Sequence, residues 1–244
     1  MATTGMLVVP QLTSNPKAPI KALVFDAFVI FDPRPILKTV EELFPGQARQ
    51  LIEVWQSRQF TYQWLRAMGK KYKDFWDVTK DALDFAVAQC ELDDREKEKD
   101  LIMGTYETIG AWPDVVPALQ EIKNNGLKVC FLSNMTASML QRGIENSKLE
   151  NFFDLVISTD QKQTYKPSPD AYQMAVEKLR LKKEQILFLP FAGWDMAGAK
   201  WFGFPTFWVN RLNSLRENLD ASPTGSANNL DELVDFIRNY DKRE

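Results

Sequence analysis

Several polar residues stand just after apolar runs in this chain, at places where a short strand would hand them to a crevice. Asp26 follows KALVF, Ser133 and Asn134 follow LKVCFL, Lys166 precedes a proline downstream of FFDLVIS, and Asp195 lies five residues beyond ILFLP. A carboxylate so placed can serve as nucleophile or base, and a lysine beside it can supply the balancing charge. Histidine is absent, so Ser-His-Asp and Cys-His catalysis and His-ligated metals are excluded together. Each position also has a plain reading. An Asp after a strand is usually a turn residue, Ser-Asn can cap the next helix, a loop lysine is usually solvated, and Asp195 suits a first helical turn. Their joint order is what suggests one site.

To bring these groups together, the runs that carry them must lie side by side. Residues 21–28 read as a buried parallel strand, ended by Asp32-Pro33-Arg34-Pro35. Residues 36–109 read as helical, without a strand pattern. Leu51, Val54, Trp55, Tyr62 and Leu65 recur there at helical spacing, and amphipathic stretches follow at 74–90 and 94–109. Beyond Trp112 strands and helices alternate: helix 114–125 closed by Asn-Asn-Gly, strand 127–133, helix 137–146, strand 152–158, helix 169–180, strand 186–190, helix 194–201 and strand 205–209. A polar segment, 213–229, leads to a last helix, 230–240. The pattern predicts an α/β fold, a doubly wound parallel sheet with a helical bundle inserted after its first strand. Ligands of such sheets bind outside the carboxyl ends of the strands, where the polar residues stand.

Composition narrows the classes further. Lys and Arg number 30 against 33 Asp and Glu, a net charge of −3, so the basic excess of a nucleic-acid binder is missing. No apolar run reaches the ~18 residues that span a bilayer. Cys90 and Cys130 form no CxxC pair and read as reduced, buried thiols of a cytoplasmic protein. Residues 1–19 read as a disordered leader.

The order of strand-Asp, helical insert, strand-Ser-Asn, Lys-Pro loop and strand followed by Asp resembles that of the haloacid dehalogenase superfamily, and most closely the (S)-2-haloacid dehalogenases. The matching segments are FDAF (25–28), WQSRQFTYQWLR (55–66), FLSN (131–134), YKPSPDAY (165–172) and WDMAGAKWFGFPTFWVNR (194–211). The resemblance implies a Rossmann-like core, 20–33 and 111–244, with a helical cap, 34–110. It also implies a small carboxylic acid as substrate, and a homodimer. Asp26 would then displace a leaving group from a saturated carbon and form an ester that water hydrolyses. Lys166 would pair with Asp26 and help hold the substrate carboxylate, which Ser133 would also bind. Asn134 would donate to the leaving group. Asp195 would pair with Lys166 and help orient water. Tyr172 matches a tyrosine near the site, although an aromatic there is more often core. Ala27, Phe28, Phe60, Phe191 and Trp194, with Ile30, would line the substrate pocket.

Phosphatases of the superfamily place a second Asp two residues after the nucleophile, as general acid, and hold Mg²⁺ with several carboxylates. Here Phe28 stands at the first position and PFAGWD carries no second acid, so neither phosphatase chemistry nor a metal or other cofactor is expected. The dehalogenases carry an Arg directly after the insert Trp to cradle the departing halide; here it is Gln56, with Arg58 turned away from that face. Val29-Ile30 replaces a Gly-Thr pair, and Pro190 and Ala192 replace a Ser and an Asn. Three readings stay open: dehalogenation or azetidine ring opening on a small 2-substituted acid, a lyase, cyclase or isomerase acting on a larger apolar substrate, and a binding protein that lost the chemistry.

Overall fold

The computed structural model describes residues 18–92 and 95–240, so nearly all of the expected leader lies outside the described residues. β1 (Ala22–Phe25) is fully buried, as its unbroken apolar sequence requires of a central parallel strand. It pairs in parallel with β2 (Lys128–Ser133) on one side and β4 (Ile186–Leu189) on the other, and β3 (Leu155–Ser158) lies beyond β2. A parallel bridge from Phe188 to Thr206 leads from β4 toward a second ladder, β5 (Phe207–Val209) with β6 (Gly225–Ala227). The order 3-2-1-4 reverses direction at β1, which opens the crevice outside its carboxyl end. Helices α6 (Val115–Asn124), α7 (Ala137–Asn146), α8 (Pro169–Leu179), α9 (Gly193–Phe202) and α10 (Asp231–Arg238) follow the expected alternation closely. Gly126, at φ +73°, ends α6 in the left-handed conformation that favours glycine.

Two elements differ from the sequence reading. The first strand stops at Phe25 rather than residue 28. The Asp26 side chain accepts from the Phe28 N–H at 3.1 Å and so caps a single helical turn, α1 (Ala27–Ile30). That turn is tied down from outside. The Trp112 indole donates to the carbonyls of Phe28 and Phe31, and Arg211 donates to the Val29 carbonyl while pairing with Asp114 at 2.6 Å. The second difference is β6, which falls within the expected polar segment. Its Gly-Ser-Ala sequence has no strand signature, but the strand runs under aromatic rings. A Cβ on Gly225 would stand 2.6 Å from the Phe236 ring and 2.8 Å from Phe207.

Helices α2 (Arg34–Leu43), α3 (Ala48–Met68), α4 (Phe75–Gln89) and α5 (Glu96–Glu107) make the insert. The buried face of α3 carries Ala48, Leu51, Trp55, Gln59 and Gln63. The expected apolar stripe is therefore corrected: Leu65 is 60% exposed, and two glutamines take the place of its C-terminal half. They can be buried because they are bonded. The Gln59 amide donates to Thr79 Oγ1, and the neighbouring Trp55 indole donates to the Thr79 carbonyl at 2.9 Å, which locks α3 onto α4. The insert is anchored to the sheet by polar contacts too. Trp64 Nε1 donates to the Lys166 carbonyl at 3.2 Å, Tyr72 Oη to Asp160 at 3.0 Å, and Tyr165 Oη to the Lys73 carbonyl at 2.6 Å.

Candidate active site

Asp26, Ser133, Asn134, Lys166 and Asp195 converge at the carboxyl edge of the sheet. The Lys166 ammonium sits between two carboxylates, 2.6 Å from Asp26 Oδ1 and 2.6 Å from Asp195 Oδ2. Lys166 and Asp195 are each 1% exposed, so this line of charges is shut off from solvent on all sides but that of Asp26. Tyr172 completes it, with its hydroxyl donating to Asp195 Oδ1 at 2.7 Å. The tyrosine also packs against Phe188, Phe202 and Phe204, and it stands behind the site, fully buried and outside the cavity wall. Close docking of α9 makes this contact possible. A Cβ on Gly198 would stand 2.6 Å from both Tyr172 Oη and Pro167 Cβ.

Asn134 does more than face the cavity. Its Oδ1 accepts from the Lys166 backbone N–H at 2.9 Å and from Thr159 Oγ1 at 3.3 Å, and its Nδ2 donates to Gln63 Oε1 at 3.0 Å. Ser133 Oγ accepts from the Met135 N–H at 3.1 Å, which leaves its own proton to donate. Over these groups lies a cavity of about 420 Å³ whose walls include Asp26, Phe28, Ser133, Asn134, Phe191 and Trp194. From α3 it is lined by Trp55, Gln56, Gln59, Phe60 and Gln63, one stripe at helical spacing. Ala27 and Ile30 do not line it. The α1 turn rotates both into the core, where they are fully buried, and this corrects the expectation for them.

A family model described as haloacid dehalogenase-like hydrolase matches residues 20–203. The chain belongs to this family. The hydrolase is 32% identical over 219 residues to the (S)-2-haloacid dehalogenase of Pseudomonas sp. (strain YL), covering 89% of this chain and 94% of that one. It is 37% identical over 195 residues to the (S)-2-haloacid dehalogenase of Xanthobacter autotrophicus, covering 80% and 76%. Among solved structures it superposes on an L-2-haloacid dehalogenase with a TM-score of 0.87 at 36% identity, over 91% of this chain and all of that one. It also matches the Xanthobacter autotrophicus L-2-haloacid dehalogenase with chloropropionic acid covalently bound (TM-score 0.81, 31% identity, 90% and 98% covered).

In this hydrolase, burial is the main influence on Asp195 and pushes its carboxyl up to about 6. The Asp26 charge adds to the rise, while Lys166 and the Tyr172 hydrogen bond oppose it. Burial works against the Lys166 ammonium, but its two carboxylate neighbours outweigh that and hold it above the ordinary lysine value. Burial raises the Tyr172 hydroxyl well above its usual range, which keeps it a donor. No group of three His, Cys, Asp or Glu side chains able to hold a metal occurs among the described residues.

The structure also places the departures. Gln56 lines the mouth of the cavity and is exposed, while the Arg58 guanidinium lies 4.4 Å over the Phe85 ring, facing elsewhere. Tyr62 likewise packs edge-on against Phe85, and Phe60 and Trp64 against Trp194, so the aromatics of α3 are spent within the chain. Gln59 and Gln63 are among the cavity residues that escaped the sequence reading. Their signal was spacing: positions 56, 59, 60 and 63 share a face with Trp55.

Proposed function

We propose that this hydrolase cleaves the carbon–halogen bond of 2-haloalkanoic acids through an ester on Asp26. The observation that carries the reading is Asp26 in the cavity wall, backed by the buried Lys166 and Asp195, with Phe28 where a phosphatase would need its acid. The Asp26 carboxylate forms a C–O bond at C2 as the carbon–halogen bond breaks, and the electron pair leaves with the halide. Ser133 and Lys166 hold the substrate carboxylate. Water then attacks the ester carbonyl, with Asp195 orienting it. The bond from that carbonyl carbon to the substrate oxygen breaks, and the 2-hydroxy acid leaves carrying one proton of the water. The other proton is released to solvent, and the Asp26 carboxylate is restored. Purified protein in metal-free buffer should release chloride from 2-chloropropionate, tested as separate L and D enantiomers. A folded protein that releases none from either would sink this reading.

Asp195 sets an expected pH profile. With its carboxyl near 6, it is protonated and neutral at lower pH, where Lys166 loses one of its two anionic partners. The rate constant kcat/KM should therefore rise through about pH 6 and level off above. Tyr172→Phe removes a hydrogen bond that favours the ionised form, so the rise should move to higher pH with little change in the plateau. An unmoved limb would show that another group controls it.

One observation favours a second reading. A cavity of about 420 Å³ exceeds what a three-carbon acid fills, as expected for a larger apolar substrate handled by a lyase, cyclase or isomerase on the same Asp. Chloride release from 2-chloropropionate supports the first reading, and a preference for a 2-chloro acid bearing an aryl side chain would show that the cavity takes a larger substrate. The reading also covers a cytoplasmic setting and a homodimer. No described helix is long and apolar enough to cross a membrane. The surface a dimer would bury now rests on Leu65 and Met68, 60% and 82% exposed, and sedimentation measures it.

A further inference from the structure

Gln63 lines the cavity and carries a buried hydrogen-bond donor that has no partner. The residue is fully buried, and its Nε2 has no partner, which is unusual for a buried amide. The orientation of the amide is fixed by a chain of bonds. The Lys166 N–H can only donate, so the Asn134 atom it meets at 2.9 Å is the carbonyl oxygen. Asn134 therefore presents its NH₂ to Gln63 at 3.0 Å, and the Gln63 atom receiving it is Oε1. Nε2 is left over, on a residue that lines the same cavity as Asp26.

The other two amides of the α3 stripe are otherwise disposed. Gln59 spends its NH₂ on Thr79, and Gln56 is exposed at the mouth. A halide leaving C2 needs N–H donors in a dry site, and no cationic side chain of α3 lines this cavity. We propose that Gln63, through Nε2–H, binds the departing halide and so does part of the work for which position 56 carries no charge. This rests on the dehalogenase reading above. As the C–X bond breaks and its electron pair passes to X⁻, the N–H donates to the ion. No proton is transferred.

Bromide itself is the probe. Its binding is followed as saturable quenching of tryptophan fluorescence, with Trp55 and Trp194 in the cavity wall. Gln63→Glu keeps the oxygen that Asn134 needs but loses the donor. Gln63→Met keeps the length and loses both, and serves if the Glu variant does not fold. Bromide should bind wild type saturably and at least tenfold more weakly to either folded variant. The variants should also lose more turnover on 2-chloropropionate than on 2-iodopropionate, because the poorer leaving group depends more on the donor. A merely structural role would slow both substrates by one factor. Bromide affinity unchanged in a folded variant, no saturable binding by wild type, or equal slowing of the two substrates would overturn the assignment. Chloride release with unchanged bromide affinity rejects only the Gln63 role, whereas Gln63-dependent bromide binding without chloride release rejects only the dehalogenase reading.

Discussion

Asp26→Asn should lose chloride release by on the order of 10⁴ or more, the scale on which removing a covalent nucleophile silences a hydrolase. The fold should survive. Asn is as good a helix cap as Asp, and its oxygen can accept from the Phe28 N–H, although its NH₂ then faces the Lys166 ammonium, which loses that acceptor. Lys166 keeps Asp195 as its counter-charge at 2.6 Å, so the ammonium is not stranded in the interior. A melting temperature within a few degrees of wild type, together with the loss of turnover, would separate chemistry from stability. Comparable turnover in the variant would remove Asp26 from the mechanism.

Lys166→Met should be the most damaging change to the fold within the site. It leaves two carboxylates facing a space that held their shared cation. Breaking one side of a buried ion pair costs about 3–5 kcal/mol, which for a chain of this size lowers the melting temperature by roughly 10 °C. The loss should depend on pH, with a definite sign. Lys166 is what holds the Asp195 carboxyl down against burial, so without it that carboxyl rises further above its ordinary value of 3.8. The folded variant then holds a proton that the unfolded chain has already released, so stability falls as pH rises through that window. Thermal melts should show the variant nearer to wild type at pH 5 than at pH 8. A deficit independent of pH would mean that lost packing, not unpaired charge, destabilises it.

What the sequence disclosed follows from which forces leave a mark on composition. The central strands are short apolar runs because both faces are buried, and the turns after them carry Gly, Pro or a capping side chain, so the α/β alternation was legible. Asp26, Lys166 and Asp195 could be singled out because strand-end position alone predicts convergence. Three features left no such mark. The break at Asp26 sits inside a run that stays apolar through Ile30, so only the cap signals it. The strand Gly225–Ala227 is chosen by the rings above it rather than by its own propensity. Gln59 and Gln63 are buried through hydrogen bonds to Thr79 and Asn134, residues 20 and 71 positions away, and hydropathy cannot see partners so distant. The same blindness kept Asn134 in view as a donor while its grip on the Lys166 backbone went unread.

That grip has a mate. The Lys166 peptide is held at both ends from α3: its N–H through Asn134 and Gln63, its carbonyl by the Trp64 indole. The insert that covers the cavity therefore also braces its floor: the bonds that seat α3 on the sheet are the same bonds that hold the backbone carrying the lysine, whose ammonium lies between Asp26 and Asp195.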